Sequence, residues 1–381
     1  MSVQQEKPGV LFTMRYPDDT GYVWNHIAYL RDEVSAHLLD QAQPYMAFPR
    51  LSGQPSYALR HPQPVELDCY DNSAAGRARI EDFVKRHRIK VVVFMSALPQ
   101  TVCTDLLHRL GVRTLNTEND SFDTSRLDSR LKRAAKFIMR RVLRRQLHDL
   151  HLANSRSQYQ FLLDYAMLPR DRLVLMTNCI DTARFCPGEQ GAARAITGLD
   201  PNRFWIMAVS QARSEKRVER LLLVIQRMVQ QRPGQRIGIV YIGDGPHLAR
   251  WKTLAAELGL QDVCVFAGRQ EDTLPWYRSA DLMVHAAERE SFGLAVVEAM
   301  ACALPVVASA AAGPAETIVH GRTGAVIPLH DFDLFERTVL DYVDDPEMTR
   351  EHGRNARAHV DTAYNVVRYS KEFAEHIARF L

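Results

Sequence analysis

FWIMAVSQARSEKRVERLLLVIQRMVQQRPGQRIGIVYIG, residues 204–243, is the stretch of this 381-residue chain that decides its fold. Two short apolar runs flank a longer segment whose apolar residues recur at helical spacing, which predicts strand, helix, strand. HLARWKTLAAELGL (247–260) and VCVFAG (263–268) add a second helix and a third strand. Alternation of this kind is typical of an α/β domain with a parallel, doubly wound sheet.

The pattern extends in both directions. DLMVHA, GLAVVEAMACA and PVVAS continue it through residues 281–309. In the first half the candidate strands are VLFTM (10–14), VVVFM (91–95), TLN (114–116), LHLAN (150–154) and LVLM (173–176). We therefore expect two Rossmann-like domains in tandem, residues 1–182 and 183–360, joined by a turn-rich linker at 181–191. Active sites of such pairs lie at the carboxyl ends of the strands.

Composition narrows the class of protein. Hydrophobic residues make up 46% and charged residues 24%, which is ordinary for a soluble globular chain. The 6 cysteines form no CxxC pair, so a zinc ribbon or dithiol site is not expected and a reducing cytoplasm is favoured. No secretory signal is visible and no apolar run approaches the ~20 residues of a membrane span. We expect a cytoplasmic protein, and we do not expect nucleic acid as a partner.

Charge is distributed unevenly along the chain, whose formal net charge is +3. Residues 1–185 hold 26 Lys and Arg against 20 Asp and Glu, and the remainder holds 22 against 25. This difference points to an anionic partner for the first half, although scattered surface charge would also produce it.

Much of the positive charge lies in residues 126–148, with nine Lys or Arg and one acid, Asp128. Apolar residues recur there at helical spacing: Leu127, Leu131, Ala135, Ile138 and Val142. The spacing predicts a helix whose apolar face packs on its own domain and whose basic face is solvated. Two alternatives stay open, contact with an anionic membrane at its inner face and recognition of a phosphorylated or lipid-linked acceptor.

The segment ERESFGLAVVEAMACALPVVAS, residues 288–309, holds the densest set of candidate site residues. A helix is expected to begin near Phe292, after Ser291. The backbone N–H groups of Phe292, Gly293 and Leu294 would then be unpaired and suited to bind a diphosphate.

Two glutamates, Glu290 and Glu298, flank this helix start and are separated by seven residues. Helical side chains lean toward the N-terminus, so the carboxylate of Glu298 reaches back to accept hydrogen bonds from two ribose hydroxyls. Glu290 would stand beside the sugar ring.

This pattern resembles the Glu-x7-Glu motif of the large retaining glycosyltransferase family often called family four. YIGDGPHL (241–248), residues 265–309 and AAGPAETIVHGRTGAVIP (311–328) are similar to that family's C-terminal domain, in the same order. The resemblance implies the GT-B fold, with two Rossmann-like domains facing across a cleft and a last helix, 361–381, crossing back. It also implies transfer of a sugar from a nucleoside diphosphate sugar to an acceptor hydroxyl, with retention and without a cofactor or metal.

The resemblance implies further donor-binding residues. Lys216 matches a lysine that neutralises the leaving diphosphate. Gln211 stands where the family has an arginine, and Arg213 is the nearest replacement. Gly243 belongs to a GDGP turn, and the loop that begins at Gly268 would hold the base.

In the first half the resemblance implies fewer roles. Gly21 lies in a loop that approaches the donor phosphates, or it forms a surface turn. Relatives place a histidine near TLNTENDSF, residues 114–122, which contains none. Glu118, Asn119 or Asp120 could serve as a base toward the acceptor, or this loop caps a helix that begins near Ser121.

Two other functions remain open. A sugar-nucleotide epimerase of the same fold would form product without an acceptor, and a non-catalytic nucleotide-sugar-binding scaffold would accommodate the Gln211 departure. A nicotinamide dehydrogenase is disfavoured because no G-x-G-x-x-G follows a predicted strand. The acceptor is expected to be a glycan or lipid-linked intermediate of an envelope polysaccharide, or a small molecule.

Overall fold

Two sheets of parallel strands form the framework of the computed structural model, which describes residues 7–21, 23–118, 130–143, 147–234 and 236–381. The chain divides into two units, Met1–Asn178 with Val366–Leu381, and Cys179–Asn365. Each unit has helices between its parallel strands, so the predicted α/β class is confirmed.

The first unit is built on a seven-stranded sheet. Its strands are β1 (Gly9–Thr13), β2 (Gln43–Phe48), β3 (Gln63–Glu66), β4 (Ile89–Met95), β5 (Arg113–Glu118), β6 (Leu150–Ala153) and β7 (Leu173–Leu175). Helices that accompany it are α1 (Val23–Ala36), α2 (Ala74–Arg86), α3 (Thr104–Arg109), α4 (Arg130–Phe137) and α5 (Arg156–Asp164). The order is β3-β2-β1-β4-β5-β6-β7, which puts the topological switch point between β1 and β4.

The second unit is built on a six-stranded sheet of order β10-β9-β8-β11-β12-β13. Its strands are β8 (Phe204–Val209), β9 (Ile237–Ile242), β10 (Cys264–Gly268), β11 (Leu282–His285), β12 (Val306–Ser309) and β13 (Gly324–Ile327). Its helices are α6 (Gln190–Thr197), α7 (Val218–Gln231), α8 (Leu248–Glu257), α9 (Leu274–Ser279), α10 (Leu294–Ala301), α11 (Ala312–Thr317), α12 (Phe332–Asp344) and α13 (Pro346–Ala363). Here the switch point lies between β8 and β11.

The core of the second unit lies on both faces of its sheet. Along β8, Met207 and Val209 belong to one buried cluster, whereas Ile206 and Ala208 belong to the other. Because both faces are covered, the strand is apolar at every position, and this explains the unbroken run FWIMAV.

The five strands predicted in the first half are confirmed as β1, β4, β5, β6 and β7. Two strands were not predicted from the sequence, β2 (QPYMAF) and β3 (QPVE). Each contains a proline, which weakens a strand pattern, and β3 at the sheet edge is largely exposed and lacks an apolar run. The helix predicted near Ser121 lies outside the described residues.

Residues 181–191 do not form the free linker that their turn-rich composition predicts. Phe185 is buried, and its carbonyl accepts a hydrogen bond from Arg357 Nη1 at 2.7 Å. The segment is thereby fixed to the second unit. The last helix, α14 (Val366–Ala378), belongs to the first unit, where it packs against α1.

Candidate functional site

A buried ion pair lies at the carboxyl end of β11. Lys216 Nζ donates a hydrogen bond to Glu290 Oε2 at 2.8 Å, and both side chains are largely buried. His285, the last residue of β11, places its Nε2 atom 3.6 Å from the same oxygen. The structure thus brings together two residues that lie 74 positions apart in the chain.

The charges of this cluster fix its protonation. Burial by itself would raise the pKa of the Glu290 carboxyl, but the adjacent His285 ring and the Lys216 ammonium outweigh burial and hold that pKa well below its usual range. Glu290 is therefore a carboxylate at neutral pH, beside the Lys216 ammonium.

The loop that carries Lys216 is tied to the loop that carries Glu290. Arg217 Nη2 and Arg220 Nη2 lie 2.8 and 3.0 Å from the two carboxylate oxygens of Glu288. The backbone N–H of Glu288 donates to the carbonyl of Glu215 at 3.0 Å. These contacts hold Lys216 and Glu290 at a fixed separation, and the sequence analysis missed them because no local pattern joins the two loops.

Helix α10 begins at Leu294, two residues later than predicted. Gly293 precedes it with a φ of 88°, in the left-handed region that favours glycine. Phe292 lies before the helix and its side chain is buried in the core, so contact of its backbone N–H with a diphosphate stays a prediction. Within the described chain, the N–H groups of Leu294 and Ala295 donate to no acceptor, as expected for a first helical turn.

Gly313 packs against the backbone of the loop that joins Glu290 to α10. Its N–H donates to the Glu290 carbonyl at 2.8 Å. A Cβ at position 313 would lie 2.4 Å from the carbonyl oxygen of Phe292. Only glycine allows the two backbone segments to approach this closely. Ser291 lies half-buried within the loop.

Glu298 lies in the second turn of α10, where the sequence places it. Its Oε2 accepts a hydrogen bond from the Tyr277 hydroxyl at 2.7 Å. Burial raises the pKa of the Glu298 carboxyl, although the Tyr277 bond and the charge of Arg184 oppose this. The two glutamates of the motif therefore have pKa values shifted in opposite directions, an arrangement typical of functional sites.

The other predicted donor residues surround the ends of β8 and β9. Arg213 is exposed, and no carboxylate of the described chain pairs with it. Gly243 donates its N–H to the carbonyl of Gly268 at 2.9 Å. A Cβ on Gly243 would lie 1.9 Å from the carbonyl oxygen of Ser210, so this glycine packs the turn against the loop after β8.

In the first unit, Glu118 ends β5 and belongs to a buried polar group. Its Oε1 accepts hydrogen bonds from Asn116 Nδ2 at 2.7 Å and contacts His151 Nδ1 at 3.0 Å. Gly21, with a φ of 73°, donates its N–H to Ser56 Oγ at 3.0 Å. Asn119 and Asp120 lie outside the described residues.

The basic helix adopts a different orientation from the predicted one. After α4, a π-helical turn spans Ile138–Val142. Ile138 is 51% exposed and Val142 is 60% exposed, and neighbouring Phe137 and Leu143 are also exposed. The prediction that this apolar face packs on its own domain is therefore wrong at these positions.

Two arginines of the same turn instead contact backbone carbonyls near the end of α5. Arg141 Nη2 donates to the carbonyl of Leu163 at 2.7 Å, and Arg140 donates to that of Ala166. These carbonyls lie at and just beyond the end of α5, where bare acceptors and the helix dipole attract cations. The need to cap α5 explains why the basic side chains turn inward.

The described residues contain no group of three or more His, Cys, Asp or Glu side chains that could hold a metal ion. No helix among them is long and apolar enough to span a bilayer.

Residues 189–359 match the family model of glycosyl transferases group 1. The match covers less than half of the chain, which is similar to that family over these residues. The resemblance inferred from the two glutamates is thereby confirmed for the domain that carries them. Lys216, Glu290 and Glu298 all lie within the group 1 domain.

Curated relatives are similar to about half of the chain. D-inositol 3-phosphate glycosyltransferase 2 of Catenulispora acidiphila is 33% identical over 192 residues, 47% of this chain and 44% of that protein. Lipopolysaccharide core biosynthesis mannosyltransferase LpcC of Rhizobium leguminosarum bv. viciae is 34% identical over 188 residues, 48% of this chain and 52% of that protein. The chain spans about half the length of these curated relatives.

Solved structures extend the likeness to the first unit. A glycosyltransferase from Rickettsia africae has a TM-score of 0.79 and 16% identity, covering 98% of this chain and 99% of that chain. Anabaena HepE in complex with UDP has a TM-score of 0.77 and 16% identity, covering 98% and 100%. At this identity the likeness establishes the fold, and the predicted GT-B fold of two Rossmann-like domains is confirmed.

Proposed function

We propose that this chain is a retaining glycosyltransferase that moves a sugar from a nucleoside diphosphate sugar to an acceptor hydroxyl. The observation that carries the proposal is the buried Lys216–Glu290 pair at 2.8 Å, beside the first turn of α10 in a group 1 domain. Unpaired N–H groups and an ammonium together favour a diphosphate, since both stabilise negative charge.

Each residue of the site has a defined role in this proposal. The first turn of α10 binds the diphosphate, Glu298 accepts hydrogen bonds from the ribose, and Glu290 contacts the sugar. The bond between the anomeric carbon and the phosphate oxygen breaks while the acceptor oxygen bonds to the same face of that carbon. Lys216 stabilises the charge that develops on the leaving diphosphate, which accepts the acceptor proton.

No metal or cofactor is part of the proposed mechanism, because Lys216 and the helix terminus supply positive charge to the diphosphate. UDP is the first nucleotide to test, since HepE has been solved with UDP and with UDP-glucose. We propose a glycan, a lipid-linked intermediate of glycan or envelope polysaccharide synthesis, or a small molecule as the acceptor; two curated relatives are named for inositol phosphate and lipopolysaccharide core.

Glu298→Ala is expected to abolish the thermal stabilisation produced by the cognate nucleotide. The ribose hydroxyls lose a charged acceptor worth about 1.5–3 kcal/mol, which corresponds to roughly 10- to 150-fold weaker binding. A thermal-shift panel of UDP, GDP, ADP and dTDP, with and without magnesium, checks this and names the base. Stabilisation should not require magnesium.

A control variant and the pH dependence of wild-type binding make the Glu298 test specific. Glu257→Ala removes an exposed glutamate at the end of α8 and should leave binding unchanged. Because the pKa of Glu298 is raised, its carboxylate is lost at a higher pH than an ordinary one, so wild-type affinity should decline early on acidification. Nucleotide binding that survives Glu298→Ala would refute the assigned site, and binding without transfer or hydrolysis would favour a scaffold.

We also propose that the exposed turn after α4 contacts an anionic membrane. The support is a cluster of exposed apolar side chains, Phe137, Ile138, Val142 and Leu143, within a segment of nine Lys or Arg and one acid. Apolar groups enter the interface while nearby cations are attracted to acidic headgroups.

Replacing Ile138 and Val142 together by serine is expected to reduce co-sedimentation with vesicles that contain phosphatidylglycerol by at least 10-fold. Burial of each side chain contributes about 1.5–3 kcal/mol. Ile196→Ser is the matched control, since this isoleucine is 73% exposed on α6. Equal sedimentation of the double variant and wild type would disprove membrane contact through this turn.

A further inference from the structure

A second polar cluster lies at the carboxyl end of the first sheet, around its switch point between β1 and β4. Ligands of doubly wound sheets bind outside the strand ends at such a point. Ser96, the residue after β4, has a φ of 46°, a left-handed conformation that residues with a side chain rarely adopt. Strained backbone is concentrated at ligand-binding sites, so this end of the sheet is a candidate site.

Arg15 provides an exposed cation there, two residues after β1. Its guanidinium carbon lies 5.1 Å from the centroid of the Tyr70 ring. The Tyr70 hydroxyl accepts a hydrogen bond from the Met95 N–H at 3.0 Å and lies 3.1 Å from Thr13 Oγ1. An aromatic platform fixed in this way restrains the guanidinium without neutralising its charge.

Arg31 provides a second, buried cation. It is 3% exposed, and its Nη2 atom donates to Thr117 Oγ1 near the end of β5 at 2.8 Å. Its guanidinium carbon lies 4.7 Å from the centroid of the Phe373 ring. The buried Nη1 atom has no hydrogen-bond partner among the described residues. A buried cation without an anion is costly, and here the rings of Phe12 and Phe373 and the hydroxyl of Tyr369 offset part of that cost without neutralising the charge.

The acids near this end of the sheet are engaged elsewhere. Asp19 pairs with Arg50 at 3.2 Å, and Asp18 accepts the N–H of Ser52. Glu118 is held by Asn116 and His151. Within the described residues, no carboxylate oxygen lies within 4.0 Å of a nitrogen of Arg15 or Arg31. The two cations therefore keep a local positive charge that no acid of the described chain balances.

We propose that the switch point of the first sheet binds the phosphate group of a phosphorylated acceptor, with Arg15 in direct contact and Arg31 supplying buried positive charge. A guanidinium binds phosphate through two parallel N–H donors, which suits an exposed arginine held on a ring. The excess of Lys and Arg in residues 1–185 also attracts an anionic acceptor, at longer range. This inference rests on the proposed function, because it names the acceptor class of that reaction.

The test is calorimetric titration of the full chain with inorganic phosphate at constant ionic strength, with UDP present at saturation to occupy the donor site. Wild type should bind phosphate, and Arg15→Gln should weaken that binding at least 10-fold. Arg50→Gln is the matched control, an exposed arginine already paired with Asp19, and it should bind as wild type does. Arg31→Met, if it folds, should weaken binding as well.

A wild type that binds no phosphate, or an Arg15→Gln variant that binds as wild type does, would overturn the inference. Lys216→Ala separates it from the proposed function, because that variant should lose hydrolysis of the donor sugar but keep Arg15-dependent phosphate binding. If none of UDP, GDP, ADP and dTDP binds, the proposed function fails, and the same titration without a nucleotide still tests Arg15.

Two further titrations identify the source of the phosphate. Glucose 6-phosphate, with glucose as its neutral control, represents a soluble sugar phosphate, and vesicles of phosphatidylglycerol in phosphatidylcholine represent a lipid headgroup. Whichever probe loses affinity in Arg15→Gln names the source. If inorganic phosphate, glucose 6-phosphate and the vesicles are all insensitive to Arg15→Gln, the inference is wrong.

Discussion

Lys216→Ala is expected to lower the turnover of donor sugar by about 10²- to 10³-fold, the usual effect of removing one group that stabilises developing charge. In the structure Lys216 is largely buried and lies 2.8 Å from Glu290. Charge–charge interactions are strong in such surroundings because little water screens them. The negative charge on the leaving diphosphate is greatest in the transition state, so turnover should fall more than nucleotide affinity.

Steady-state kinetics, or release of free sugar from the donor when the acceptor is unknown, measures this effect. Lys252→Ala is the matched control, since Lys252 is exposed on α8 of the same unit. Arg213→Ala tests whether that exposed arginine compensates for Gln211, and we expect a smaller loss than for Lys216. Turnover by Lys216→Ala within threefold of wild type would exclude this lysine from the chemistry.

Gly313→Ala is expected to abolish activity and to lower the free energy of unfolding by about 3 kcal/mol. A Cβ there would lie 2.4–2.5 Å from three backbone atoms of Phe292. Overpacking usually costs about 1–3 kcal/mol, and backbone atoms cannot move aside as a side chain can. The displaced backbone leads directly from Glu290 to the first turn of α10, so donor binding should fail together with stability.

Gly191→Ala is the control, because both glycines occupy the second position of a helix and only Gly313 is crowded. No atom lies within 4 Å of a Cβ built on Gly191. Alanine should therefore stabilise α6 there, by at most about 1 kcal/mol. Urea unfolding and donor hydrolysis of both variants check the pair. A Gly313→Ala protein as stable and active as wild type would show that the two loops need not pack this closely.

The strands of both sheets differ in how far the sequence predicted them. Strands β8 and β9 were evident because two covered faces favour an unbroken run of apolar residues. In contrast, β2 and β3 each contain a proline, and β3 is an exposed edge strand. The pairing of β2 with β1 and of β3 with β2, rather than local propensity, makes them strands.

The residues of the candidate site also differ in how far the sequence predicted them. Glu290, Glu298 and the glycine before α10 could be located from the sequence and its family resemblance, since they lie on one short stretch of chain. Tyr277 and His285 could not, because their contacts with those glutamates depend on how α9 and β11 pack beside α10. The orientation predicted for the basic turn after α4 was wrong, because Arg140 and Arg141 bind carbonyls at the end of α5, and the sequence does not show that contact.

The sequence by itself determined the α/β class, the order of strands and helices in the second unit, and the resemblance of the C-terminal domain to a glycosyltransferase family. These follow from periodicity and from motifs that are contiguous in the chain. The tertiary structure alone decided the Lys216–Glu290 pair, the opposite pKa shifts of the two glutamates, and the two unbalanced arginines at the end of the first sheet. Each of these depends on burial and on distances between residues far apart in sequence, and neither quantity is encoded in local spacing.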